Sequence, residues 1–267
     1  MNELKPFEAA QPELDRWRYR GTLNPPEEPE PGSDLADDDK AFPYHRVSET
    51  VRICLVSAGE HLRLVWDGLA RGNLYSTAQY AALRGALVAA AQAVWMSAPN
   101  DPATRQNRGH AVIAESYEQL RRYHQRTLDL ALDLKLSSDD RQKVADQIEW
   151  VKSRQTSLTA VRTSSLQVNM ADVLRDVGPD IFPTDPQRRA GLRLAWNVLS
   201  SDAHTTMWGV ASRASLSASE KHSTLSILAT GTHIGDLAAW HDLVLCSLRR
   251  GWGLFDQRCE EGPSGRR

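Results

Sequence analysis

Apolar residues return every three or four positions along most of this chain, the spacing of an amphipathic helix. Val51, Leu55, Ala58, Leu62, Val65 and Leu69 form one such stripe, started by Ser48 and stopped by Gly72-Asn73. Tyr80, Leu83/Arg84, Leu87/Val88, Ala91 and Trp95 form a second, from about Ser76 to Ala98, and its many alanines allow close approach. The two predict an antiparallel helical hairpin. After Pro99-Asn-Asp-Pro102, a third helix is predicted from Pro102 to about Lys135, with Ile113, Tyr117, Leu120, His124, Leu128 and Ala131 inward. A fourth starts at Ser137/Ser138 with Asp139 and Asp140 in its first turn, and its charged surface places most of it outside the core.

Met170–Val177 reads as a short helix ended by Gly178-Pro179, and Thr184-Asp-Pro186 starts another. That helix has two neighbouring faces. Leu192, Ala195, Leu199 and Ala203 are apolar, whereas Arg193, Asn197, Ser200 and His204 form a polar row. Thr205–Ser212 continues helically or turns, and Leu225–Thr230 is β-prone, a linker or a lone strand. A last helix spans about Ile234 to Phe255, with Leu237, His241, Val244, Leu248 and Trp252 on its stripe. The predicted class is therefore all-α, a multi-helix bundle with long antiparallel helices.

The N-terminus differs. A short helix is predicted near Pro12–Arg20. Residues 24–40, Pro-rich and acidic with almost no apolar side chains, read as a flexible linker. The expected organisation is an arm and linker over 1–42, a single bundle over 43–258 and a disordered tail over 259–267.

Composition narrows the function classes. A net charge of −2 provides no general basic field for nucleic acid. Of the 32 basic residues only Lys5, Lys40, Lys135, Lys143, Lys152 and Lys221 are lysine, and arginine suits bidentate, partly buried pairing. Cys54, Cys246 and Cys259 form no disulfide framework, which fits a reducing compartment. The first residues lack an apolar signal core, and the longest apolar run, Ala86–Met96, falls short of the roughly 20 residues a bilayer span needs. The expected location is the cytoplasm, away from membranes.

No HExxH, facing ExxH pair or Cys/His cluster suggests a metal, and no GxxxxGK[ST] or GxGxxG loop suggests a nucleotide. GxSxG is absent as well. Neither a metal nor a cofactor is expected. The candidate chemistry lies instead in polar groups on helix faces: His204, Ser200, Asn197 and Arg193 in one row, Arg84 on an inner stripe, and Arg105 and Arg108 three apart. His204 serves either as a helix C-cap or as a general acid/base. Arg84 either snorkels at the end of its stripe or takes a partner, with Asp67, Asp202, Glu115 or a bound anion available. His124 and His241 read as core histidines bonded to backbone carbonyls. Arg105 to His110 satisfies Arg-x4-His, but five residues on a regular helix leave a net rotation of about 140°, so the two would diverge unless the first turn is irregular; Arg105 and Arg108 then face solvent.

Leu199-Ser200-x-x-x-His204 followed by Trp208, together with Arg84 leading to Trp95 and the later Arg105-x-x-Arg108, resembles a group of uncharacterised all-helical bacterial proteins, many actinobacterial or phage-borne. Some of that group are similar to HEPN-type domains, which include ribonucleases, toxins and silent binding modules. No arginine stands four to six residues before His204, a departure from the active HEPN pattern.

Two functions are thus expected, and whether the chain is an enzyme stays open. One is a binding or regulatory module with an internal polar site near His204. The alternative is a HEPN-like, metal-independent ribonuclease, toxin or defence protein. There His204 or His110 would be the acid/base, and Arg84, Arg105 or Arg193 would meet the phosphate. A homodimer is compatible with either, and RNA is a partner only under the second.

Overall fold

Helical periodicity carries through to three dimensions. The computed structural model describes residues 3–219, 226–230 and 233–260. In chain order it contains α1 (Lys5–Gly21), α2 (Asp34–Ala41), α3 (Val47–Ala70), α4 (Ala78–Ser97), α5 (Pro102–Asp129) and α6 (Ser138–Val161). These are followed by α7 (Met170–Ile181), α8 (Pro186–Ala203), α9 (Met207–Ala211), strands β1 (Ala214–Ser219) and β2 (Ser226–Thr230), and α10 (Ile234–Cys259). The architecture is all-helical but for that one antiparallel ladder, in which Ala214 pairs with Thr230 and Ser219 with Ser226. The β-prone stretch thus has a partner strand. From residue 261 onward the expected tail lies outside the described residues.

Backbone contacts divide the chain into two compact units. The first comprises Met1–Glu28, Arg52–Ala98 and Met170–Gln257. Its core is made of the predicted stripes: Leu55, Ala58, Leu62 and Val65 of α3, Leu83, Leu87 and Ala91 of α4, and Leu237, Val244 and Leu248 of α10 are all fully buried. Burying one such leucine or valine contributes about 1.5–3 kcal/mol. Small residues set the spacing. A Cβ on Gly251 would lie 2.6 Å from Leu55 Cδ2 and 3.7 Å from the Ala93 methyl, so α10 passes α3 and α4 where no side chain fits.

The predicted stop after α3 is a Schellman motif. Gly72 takes φ +75°, the Asn73 N–H donates to the Gly68 carbonyl and the Gly72 N–H to that of Leu69. α1 begins earlier than the sequence suggests and carries Pro12 inside it. Its Trp17 stacks on Trp252 with centroids 6.3 Å apart, and the Arg20 guanidinium lies 4.1 Å over the same indole. α7 likewise runs past Gly178 through Pro179.

The second unit comprises Pro29–Val51, Pro99–Asn169 and Arg258–Arg267. Here α5 pairs with α6, and Ile113, Tyr117, Ile148, Val151 and Leu158 are buried as their spacing predicts. α5 ends at Asp129, earlier than expected, and the following residues turn.

The acidic segment requires a correction. The stretch expected to be a flexible linker contains α2, capped by the Ser33 hydroxyl, and Ser33, Leu35 and Asp38 are fully buried. Its carboxylates are what order it. Asp38 accepts from Arg105 Nε at 2.7 Å and from the Gln106 amide at 3.2 Å. Asp39 accepts from the Ser48 N–H at 2.9 Å and from its hydroxyl, capping α3 from nine residues upstream. Asp34 pairs with Arg258, which also donates to the Pro99 carbonyl at 3.1 Å and Asn100 Oδ1 at 2.7 Å. Each bond satisfies a group that would otherwise be desolvated without a partner.

Arg105 and Asp38 expose 1% and 0% of their side chains, so removing Arg105 leaves Asp38 as a buried charge without a cation, and removing Asp38 leaves Arg105 only the longer contact with Asp34 at 3.4 Å. Arg105→Ala is expected to destabilise the protein by about 3–5 kcal/mol in urea unfolding, and pairing Arg105→Met with Asp38→Leu to recover much of that loss. A cost below about 1 kcal/mol for Arg105→Ala would show that the pair does not hold the segment.

Candidate functional site

α8 is positioned by its apolar face. Pro186 opens it, with the Asp185 carboxylate accepting from the Arg188 N–H at 2.9 Å. Leu192, Ala195 and Leu199 are fully buried against α4 and α7. The polar row beside that face is divided among three environments. Ser200 turns to α4, where its hydroxyl accepts from Arg84 Nε at 3.1 Å. The Arg84 guanidinium also lies 4.8 Å from the Trp196 ring centroid. Arg84 is therefore held by a hydroxyl and an indole face rather than by any carboxylate predicted for it, a cation–π arrangement of moderate strength.

Arg193 and Asn197 project to the other side. Together with Leu194, Trp196 and Ala190 of α8 and Ala171 and Leu174 of α7 they line a groove of about 370 Å³. Arg193 is exposed and has no carboxylate partner among the described residues, and it is the charged residue of this lining. Leu194 is 58% exposed. Trp196 thus serves twice, as the resting face for Arg84 and as part of the groove wall.

His204 caps α8 by its backbone, its N–H donating to the Ser200 carbonyl at 3.0 Å, while the residue as a whole is exposed. Thr205 follows at φ +55°, and Thr206 closes the turn through its N–H, 2.8 Å from the Ser201 carbonyl. The bonds that close this turn are made by the backbone and not by the imidazole.

Asp202, considered above for Arg84, is instead taken by Arg213 in a bidentate pair in which the carboxylate is fully buried. Arg213 also donates to the Ser76 carbonyl at 3.1 Å and lies 4.0 Å over the Tyr80 ring. Sequence reasoning missed this cluster. Tyr80 reads as a plain core residue, and Arg213 sits eleven residues beyond its partner in an irregular stretch.

The remaining candidates lie elsewhere. Arg105, expected to face solvent, is buried and fully engaged: its Nη1 donates to the Pro99 and Asn100 carbonyls at 3.2 and 3.1 Å, Asp38 accepts from Nε and Nη2, and Asp34 lies 3.4 Å from Nη2. Arg108 is half-buried on the same helix. His110 is 1% exposed and packs edge-on to Phe42, so Arg105 and His110 serve different neighbours, as the helical rotation between them implies. Burial, then the charge of Arg162, holds the His110 imidazole below its ordinary pKa. His124 is half-buried beside the Tyr123 ring, and its Nδ1 has no hydrogen-bond partner among the described residues.

His241 is 1% exposed, 4.6 Å from the Phe7 ring, and its Nε2 likewise lacks a partner where a backbone carbonyl was expected. Among the described residues no cluster of His, Cys, Asp and Glu could hold a metal ion. Nor is any helix among them long and apolar enough to cross a membrane. Compared with protein-family models, curated proteins and solved structures, the chain finds no match in any of the three.

Burial, followed by the Arg249 charge, pushes His241 down to about 4 from an ordinary value of 6.5. A folded-state pKa below the unfolded one adds stability above pH 6.5 that is lost as pH falls toward 4. His241→Phe is therefore expected to remove about 1.4 kcal/mol per pH unit of acid sensitivity over that window. Parallel urea midpoints for wild type and variant between pH 7 and pH 4 would refute the assignment.

Proposed function

We propose that this chain is a helical binding module that takes an anionic, partly apolar partner in the α7–α8 groove. The observation that carries this reading is Arg193: a cation without a carboxylate partner among the described residues, set beside an indole, an amide and exposed leucine in one concavity. Ligand sites combine such apolar walls with few, well-placed polar groups. An anion there gains a charge-assisted hydrogen bond, and its apolar part covers Leu194 and the half-buried Trp196. Of the three arginines offered to phosphate under the ribonuclease alternative, Arg193 is the one in this groove, Arg105 is paired with Asp38, and Arg84 rests on Trp196 and Ser200. Residence in a reducing cytoplasm belongs to the same proposal, as does kinship with the helical bacterial group.

The test uses 8-anilino-1-naphthalenesulfonate, a fused aromatic probe with a single sulfonate. Wild type is expected to bind it saturably, one per chain, by fluorescence titration. Arg193→Ala is expected to weaken binding about tenfold, the loss of one hydrogen bond to a charged group. Leu194→Ser should weaken it further. Equal affinity for all three proteins would overturn the reading, as would metal-free cleavage of mixed RNA that disappears in His204→Ala.

A further inference from the structure

The turn that joins α5 to α6 exposes several large apolar side chains close together in sequence. Leu128-Asp-Leu-Ala-Leu-Asp-Leu-Lys-Leu136 alternates leucine with charge or alanine. Leu130, Leu132 and Leu134 are 44%, 78% and 53% exposed, and Tyr123 one turn and a half back on α5 is 66% exposed. This is not a frayed end. Ala131 is buried, the Leu134 N–H donates to the Leu130 carbonyl at 2.9 Å, and the Leu136 N–H to that of Ala131 at 3.0 Å. Lys135 takes φ +52° to close the turn. The backbone is satisfied internally and the leucines are presented outward in a fixed arrangement. A contiguous apolar patch of this kind on a folded chain marks a contact surface.

We infer that the α5–α6 turn of one copy seats in the α7–α8 groove of another. This inference rests on the reading of that groove as a binding site. Charge complementarity selects the occupant. The turn carries Asp129 and Asp133, and Asp133 has no cationic partner among the described residues. The α7–α8 groove offers Arg193 between apolar walls, with space for the side chains of Leu132 and Leu134 together. Another groove of the first unit, between α1 and α3, is less suitable. Its lining sets two carboxylates, Glu60 and Asp67, beside Arg18 and Arg63, and Arg63 is already bonded to Asp15. There the turn's aspartates would meet like charge as well as cation, whereas Arg193 is the charged residue of the α7–α8 lining.

One-way seating of turn in groove is a heterologous contact, whereas a reciprocal exchange between two copies is isologous. Two copies exchanging turns close as a dimer, and one-way seating continues as a series. Leucines leave water on one side, and Arg193 gains its missing carboxylate on the other. Neither surface needs to reorganise, because both are held by internal hydrogen bonds and packing.

Sedimentation velocity of the full chain over a wide concentration range tests this. Wild type is expected to gain mass with concentration. Leu132→Ser with Leu134→Ser, exposed positions that leave the fold intact, should weaken association at least about tenfold. Arg193→Asp and Asp133→Arg should each do likewise, and the two combined in one chain should restore association. A wild type that stays monomeric, or charge-reversed chains that gain nothing from being combined, would overturn the inference. The naphthalenesulfonate titration separates the two failures. A monomeric wild type whose probe binding still depends on Arg193 sinks the self-partner and leaves the groove. Probe binding indifferent to Arg193 sinks the groove and this partner with it.

Discussion

A single desolvated charge pair decides what the second unit is. Asp38 and Arg105 lie 67 residues apart and meet with essentially no side-chain exposure. Burial, with the charge of Asp34 behind it, pushes the Asp38 carboxyl up, and Arg105, then Gln106, act against that. Such a pair adds little net stability compared with two well-packed apolar residues, but it tolerates few other arrangements. Its value here is register. It fixes α2 against the start of α5, and from there Asp39 reaches the first turn of α3 and Asp34 reaches Arg258. Three carboxylates of one short segment each find a different positive group: a guanidinium, a helix N-terminus and a second guanidinium.

That mechanism explains why the segment defeated the sequence reading. Composition rules for disorder weigh apolar content, because apolar burial normally offsets ordering entropy. Residues 24–40 fail that criterion, yet they are ordered by buried polar pairing, whose other half lies far along the chain. The stripes of α3, α4 and α10, by contrast, were legible because their information is local. A period near 3.6 in apolar residues names both the helix and its buried face, and Leu55, Leu83 and Leu248 occupy the core as their spacing requires. The same contrast runs through the polar groups. Arg84 reads from sequence as snorkelling or as taking a carboxylate or bound anion, but a hydroxyl and an indole on α8 hold it. Asp202 goes to Arg213, a residue no periodic pattern picks out.

The polar row of α8 was legible as a row but not as a site. Steps of four, three and four residues keep Arg193, Asn197, Ser200 and His204 roughly aligned on an isolated helix. Packing then divides them. Because α4 covers one flank, Ser200 becomes a partner for Arg84. Because α7 leaves the other flank open, Arg193 and Asn197 border a groove. Because the helix ends at Ala203, His204 lies beyond the last turn with its backbone as the cap. The site is therefore a property of three helices and not of one, and its chemistry is that of the flank left open.

The open flank also sets what can enter. Arg193 stands in water beside Leu194 and Trp196, so any ligand that covers the leucine must also desolvate the guanidinium or leave it a route to solvent. A neutral apolar ligand would strip water from a cation and return nothing, a cost of several kcal/mol for a buried lone charge of this order. An acidic ligand without apolar surface gains only a screened surface pair, about 1 kcal/mol or less. A ligand that brings both, with the carboxylate placed beside the leucine, avoids both losses. The alternation of leucine and aspartate between α5 and α6 is that combination within this same chain, and the groove discriminates in its favour by what it penalises as much as by what it attracts.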